Sequence, residues 1–66
     1  MSEEMKTVVK VTIEYKYRGN QLVEYVVTLE KFIGETTYLR DKRIFLKGHE
    51  DEMAKYIIEM LGWELG

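Results

Sequence analysis

The chain has 66 residues, no cysteine, a single histidine and a formal net charge of −2 at pH 7. That length holds one domain, and those counts exclude disulfides, thiolate zinc sites, iron–sulfur clusters and multi-histidine metal centres. With 45% hydrophobic and 33% charged residues the composition is that of a folded domain, not a disordered segment.

A domain this short needs either a very well-packed core or a partner subunit. High charge with one Asn and one Gln leans toward a heat-adapted source. Residues 1–5 read as a short disordered leader, acidic and without the basic start of a signal peptide. No apolar run approaches the roughly 20 residues of a membrane helix, so the expectation is a cytoplasmic protein with no membrane contact.

Residues 6–66 are expected to form a single α+β domain. Over 6–18, Val9, Val11, Ile13, Tyr15 and Tyr17 alternate with Lys10, Thr12, Glu14 and Lys16, the pattern of a half-buried strand. Arg18-Gly19-Asn20 is a turn signal, and 21–32 carries Val23, Tyr25, Val27 and Leu29 on one face of a second strand. A two-residue Gly19-Asn20 loop would set Ile13 opposite Val26, Tyr15 opposite Glu24 and Val11 opposite Thr28. A three-residue loop instead pairs Tyr15 with Val23, Ile13 with Tyr25, Val11 with Val27 and Val9 with Leu29. A one-residue slip turns a whole strand over, so burial favours the second register. The turn is then expected to end with Asn20 left-handed.

Ile33-Gly34 is the next break. Short strands are expected at about 35–40 and 43–47 around a turn at Asp41-Lys42, with residues 34–42 as a loop in the alternative. Ile44 and Leu46 would face the core and Phe45 the other side. A helix is expected at about 49–61, where Met53, Tyr56, Ile57, Met60 and Leu61 make one apolar stripe. Glu50, Asp51 and Glu52 fill its first turn, where negative charge meets the positive dipole end. Gly62 stands where a left-handed cap belongs, resting Trp63 on Ile58. The predicted architecture is an antiparallel sheet of three to four strands with this helix on one face. Its core would combine Val9, Val11, Ile13, Tyr25, Val27, Leu29, Ile44 and Leu46 with the helix stripe.

Catalytic chemistry has little to work with. The only serine is Ser2, and without cysteine a nucleophile–histidine pair cannot be built within one chain. Glu50-Asp51-Glu52 reads as a helix start, and His49 as a helix N-terminal residue. Gly19, Gly34, Gly48 and Gly62 sit at element boundaries, in no phosphate-loop spacing. No enzymatic activity and no cofactor is expected.

The outer hairpin face is not cleanly polar, because Val8, Leu22, Val26 and Phe32 stand among its charged residues, and Phe45 would join them. One helix covers one sheet face, so an apolar patch on the other marks an interface. The leading expectation is a small non-enzymatic interaction module acting through protein–protein contacts, a homodimer through the outer sheet face.

The alternative is nucleic-acid binding by the strand pair at 38–47. Arg40, Lys42, Arg43 and Lys47 would hold a backbone there, and Tyr38 and Phe45 would stack bases. Thr12-Ile13-Glu14-Tyr15-Lys16-Tyr17-Arg18-Gly19 resembles the first hairpin of the small archaeal chromatin proteins of the seven-kilodalton class, which implies DNA binding. The likeness spans these eight residues, and that family's strong basicity and glycine-rich turn are absent. The sheet-then-helix order is also similar in layout to the three-strand-plus-helix DNA-binding domains of some integrases. A third reading is a designed chain with no biological role.

Overall fold

A computed structural model describes residues 6–65. Three strands, β1 (Thr7–Arg18), β2 (Gln21–Ile33) and β3 (Thr36–Leu46), form one antiparallel sheet in the order β1-β2-β3, and a helix, α1 (Glu50–Leu65), follows. The α+β arrangement matches the expectation, with three strands. The expected leader, 1–5, lies outside the described residues.

The first hairpin solves its register differently from the expected three-residue turn. Gly19-Asn20 is a two-residue loop closed by Arg18–Gln21 and Tyr17–Leu22, and Val23 is then left unpaired as a bulge before Lys16–Glu24. The bulge does the work assigned to the third loop residue: it returns apolar to apolar, pairing Tyr15 with Tyr25, Ile13 with Val27 and Val11 with Leu29. Positive φ falls on Gly19 (61°), and no non-glycine residue among those described shares it, so Asn20 is not left-handed. Glycine followed by a residue of negative φ is the type II′ pattern, whose twist suits a hairpin.

The second hairpin repeats the device. Gly34 (φ 63°) and Glu35 make the loop. Tyr38, four residues after its glycine as Val23 is after Gly19, is the bulge between Phe32–Thr37 and Lys31–Leu39. From there β3 runs unbroken, with no turn at Asp41-Lys42: these residues pair with Leu29 and Thr28.

The Tyr38 bulge also sets the faces of β3, and it reverses the expected ones. Asp41, Arg43 and Phe45 share the helix-covered face with Tyr25, Val27 and Leu29. Ile44 and Leu46 lie on the outer face, 57% and 60% exposed. A single inserted residue is enough for this inversion, and α1 favours it, because Tyr56 engages Asp41, Arg43 and Phe45 together.

The core is narrow. Tyr25, Val26, Val27, Leu29 and Tyr56 are its buried side chains. Four belong to β2, which among the described strands is the one with neighbours on both sides. Val9, Val11, Met53, Ile57, Met60 and Leu61 are half-buried, whereas Ile13 remains 39% exposed.

A tight turn leads into α1: the His49 N–H donates to the Leu46 carbonyl (3.1 Å), with Gly48 at φ 99°. The helix then passes through Gly62 to Leu65, and Gly62 does not take the left-handed conformation expected of a cap. Lys31 and Glu64 form an ion pair at 3.4 Å that holds the added turn to β2. Trp63 and Ile58 are 78% and 69% exposed. Five residues apart, they leave the helix in directions about 140° apart rather than one resting on the other.

Candidate interaction surfaces

Three polar contacts fix where α1 lies. At its start the Tyr25 hydroxyl donates to Glu50 Oε2 (2.6 Å), which also accepts the Gly48 N–H (3.2 Å). The bond to Tyr25 is the main reason the Glu50 carboxyl is held below the usual range, and its counterpart pushes the Tyr25 hydroxyl up to about 12. In mid-helix the Tyr56 hydroxyl donates to Asp41 Oδ2 (2.6 Å). Burial first and that bond second push Tyr56 up to about 12. The Arg43 guanidinium lies 4.7 Å from the Tyr56 ring centre, and Phe45 packs against the same ring. Lys31–Glu64 is the third contact.

The outer sheet face does not assemble the expected patch. Val8, Val26 and Phe32 do lie on it, since Val8 pairs with Phe32 and Val26 with Glu14 and Ile44. Val26 is only 4% exposed, walled in by its cross-strand neighbours. Leu22 pairs with Tyr17 beyond the Val23 bulge, which carries it to the other face, and Phe45 packs under the helix. Ile44 and Leu46 take their place, beside a shallow hollow shared with His49 and Glu52. Between the two apolar ends runs a polar trough lined by Thr12, Glu14, Thr28, Glu30, Arg40 and Lys42. Arg40 crosses it to Glu30, donating from Nε (3.2 Å) and Nη2 (2.9 Å).

Nor are the basic residues brought onto one surface. Arg40 and Lys42 are on the outer face, Arg40 paired with Glu30. Arg43 is on the helix side over Tyr56. Lys47 is in the turn before α1, its N–H donating to the Val23 carbonyl (3.0 Å). His49 Nδ1 lies 3.4 Å from Glu52 Oε2, both at the surface. No group of three or more His, Asp or Glu suited to a metal occurs among the described residues. No helix among them is long and apolar enough to cross a membrane.

The sheet edges are a feature the alternation pattern did not single out. The Gly34 N–H donates to the Lys6 carbonyl (3.0 Å), continuing the β1–β2 register by one step. In an antiparallel ladder such groups alternate in direction. Even-numbered residues of β1 therefore bond to β2, and the N–H and C=O of Val9, Val11, Ile13 and Tyr15 face an edge with no partner strand among the described residues. On β3 the Lys47–Val23 bond sets the opposite parity, so Arg40, Lys42 and Ile44 present the free groups there. Beside the β1 edge, Ile13 and Tyr15 are exposed, at 39% and 58%. No protein-family model, curated protein or solved structure matches the chain.

Proposed function

We propose that this chain is a small non-enzymatic interaction module that works through protein–protein contacts as a homodimer. The observation that carries the reading is the mismatch between a core of five buried side chains among the described residues and the large apolar groups left outside it: Ile13, Tyr15, Ile44, Leu46, Ile58 and Trp63 are all exposed. Single exposed apolar residues are ordinary on any protein. Here they accompany two long strands whose outer edges have no partner among the described residues, and such edges are templates for another chain.

The polar trough across the outer face separates that face's apolar ends, so it supports the outer face less well than the sheet edge as the contact. Sedimentation equilibrium from micromolar to millimolar concentration is the test. A mass rising to that of a dimer is expected, and a monomer throughout the range ends the reading.

A further inference from the structure

We infer that the partner is a second copy of this chain, paired edge to edge and antiparallel along β1, with Thr12 opposite Thr12 on the two-fold axis. The inference rests on the interaction-module reading and adds its surface and register. The parity of the free backbone groups is the first support. Outward N–H and C=O groups lie on odd residues, so any self-pairing must set odd against odd. That register also keeps the apolar side of each strand facing the same way.

Charge and the length of the overlap together select one register among those allowed. Centred on Thr12, the pairing sets Lys10 against Glu14 of the other copy, twice by symmetry, and Val11 against Ile13 on the helix side; its one like-charge pair, Arg18 against Lys6, falls at the ends, where Lys6 lies outside the strand. Centred on Ile13 it would set Lys10 against Lys16, centred on Val11 Lys16 against Lys6, and centred on Glu14 that residue against itself; centred on Tyr15 it would set Glu14 against Lys16 but pair only residues 12–18 of β1, where the Thr12 centre pairs 7–17. Like charges directly opposite are unfavourable.

The position of α1 points to the same centre independently. The helix is bonded at Glu50 to Tyr25, opposite Tyr15, and at Glu64 to Lys31, opposite Val9. Its span along the sheet is thus centred on the level of Thr12. A two-fold axis there lays the two helices side by side in full antiparallel overlap, about 14 Å apart across three strand spacings. Tyr56 faces β3, so Leu61 and Ile58, about 140° and 200° further round the helix, lie on the flank turned to β1 and to the other helix. The assembly is a continuous six-stranded sheet that covers Ile13 and Ile58.

Cross-linking tests the register, since the chain has no native cysteine. At the axis Thr12 forms a non-hydrogen-bonded pair, whose Cα separation of about 4.5 Å suits a disulfide. Thr12→Cys is expected to give a covalent dimer with oxidised glutathione, whereas Thr28→Cys, on the same face of β2, is held about 14 Å from its copy and is not. Glu14→Lys is expected to raise the dimer dissociation constant about tenfold through two like-charge pairs, and Lys10→Glu with Glu14→Lys to restore it. Circular dichroism checks folding, and the cysteine result stands if a charge variant fails to fold.

A dimer that cross-links equally through Thr28→Cys, or not at all through Thr12→Cys, overturns the edge register and leaves the interaction module standing. A monomer at every concentration overturns both.

Discussion

The two edges of the sheet are built from the same strand chemistry and guarded in opposite ways. On β3, Arg40, Asp41, Lys42 and Arg43 are consecutive. Antiparallel self-pairing centred on Asp41, Lys42 or Arg43 sets that residue against itself, and the first of these also sets Arg40 against Lys42. Natural sheets use charge in this way to keep edges from pairing. On β1, Lys10 and Glu14 are placed symmetrically about Thr12, so the same residue types invite the strand to pair with itself. The helix repeats the contrast. Its β3 flank is fastened by Tyr56 to Asp41, Arg43 and Phe45, while Ile13 is left 39% exposed beside its β1 flank. Number of charges therefore says less about an edge than their spacing does.

The largest effect is expected on the fastened flank. Tyr56→Ala removes a buried ring, its hydroxyl bond to Asp41 and the surface on which Arg43 lies. It should cost about 3–5 kcal/mol, comparable with the whole stability of a domain this size, about 3–10 kcal/mol. A thermal melt followed by circular dichroism reads it directly, and a midpoint near that of the wild type would sink the contrast. Ile57→Ala, on the half-buried stripe, should cost less, about 2–3 kcal/mol.

On the open flank the signature is dependence on concentration. Ile13→Ala should cost about 1 kcal/mol in dilute protein, because the side chain is partly exposed. The loss should be larger at millimolar concentration, where dimerisation adds to wild-type stability by mass action. An equal loss at both concentrations would place Ile13 outside any interface. Ile44→Ala, on the exposed outer face, should change the melt by under about 0.5 kcal/mol.

Much of the architecture was legible in residue alternation. The hairpin, the face shared by Val11, Ile13, Tyr25, Val27 and Leu29, and the helix stripe all follow from period 2 and period 3.6. What escaped was whatever one residue decides. Val23 and Tyr38 are both ordinary strand residues, so a bulge at either left no mark in composition. The Tyr38 bulge inverted β3, sending Ile44 and Leu46 outward and Phe45 inward. Asp41-Lys42 resembled a turn because both are polar. Asp41 is instead an inner-face residue bonded to Tyr56, a tertiary contact invisible to local pattern. Gly62 looked like a cap, yet the helix continues through it, and in the added turn Glu64 reaches Lys31, a tertiary contact local pattern does not show. Alternation assigns side chains to the two faces, whereas the chemistry of an edge depends on the direction of backbone groups, which only a known register supplies.

The subtlest expected effect concerns pH, and it returns to the fastened side. The hydroxyls of Tyr25 and Tyr56 are raised from 10.0 to about 12 in the fold. Above pH 10 the unfolded chain loses these protons before the folded one does, so the equilibrium moves toward unfolding. Their contribution is complete below pH 10 and declines as pH rises toward 12. Glu50 acts with the opposite sign. Its carboxyl is lowered in the fold by the bonds from Tyr25 and Gly48, so its contribution is complete above the ordinary carboxylate range and fades as pH falls through it. Tyr56→Phe should flatten the alkaline arm of a plot of melting midpoint against pH while leaving the Glu50 acid arm in place. Tyr25→Phe should flatten both arms, because the hydroxyl it removes is also the principal partner of Glu50. If both variants leave both arms unchanged, the two hydroxyl bonds do not hold the helix in solution, and the flank opposite β1 is no better fastened than the one beside it.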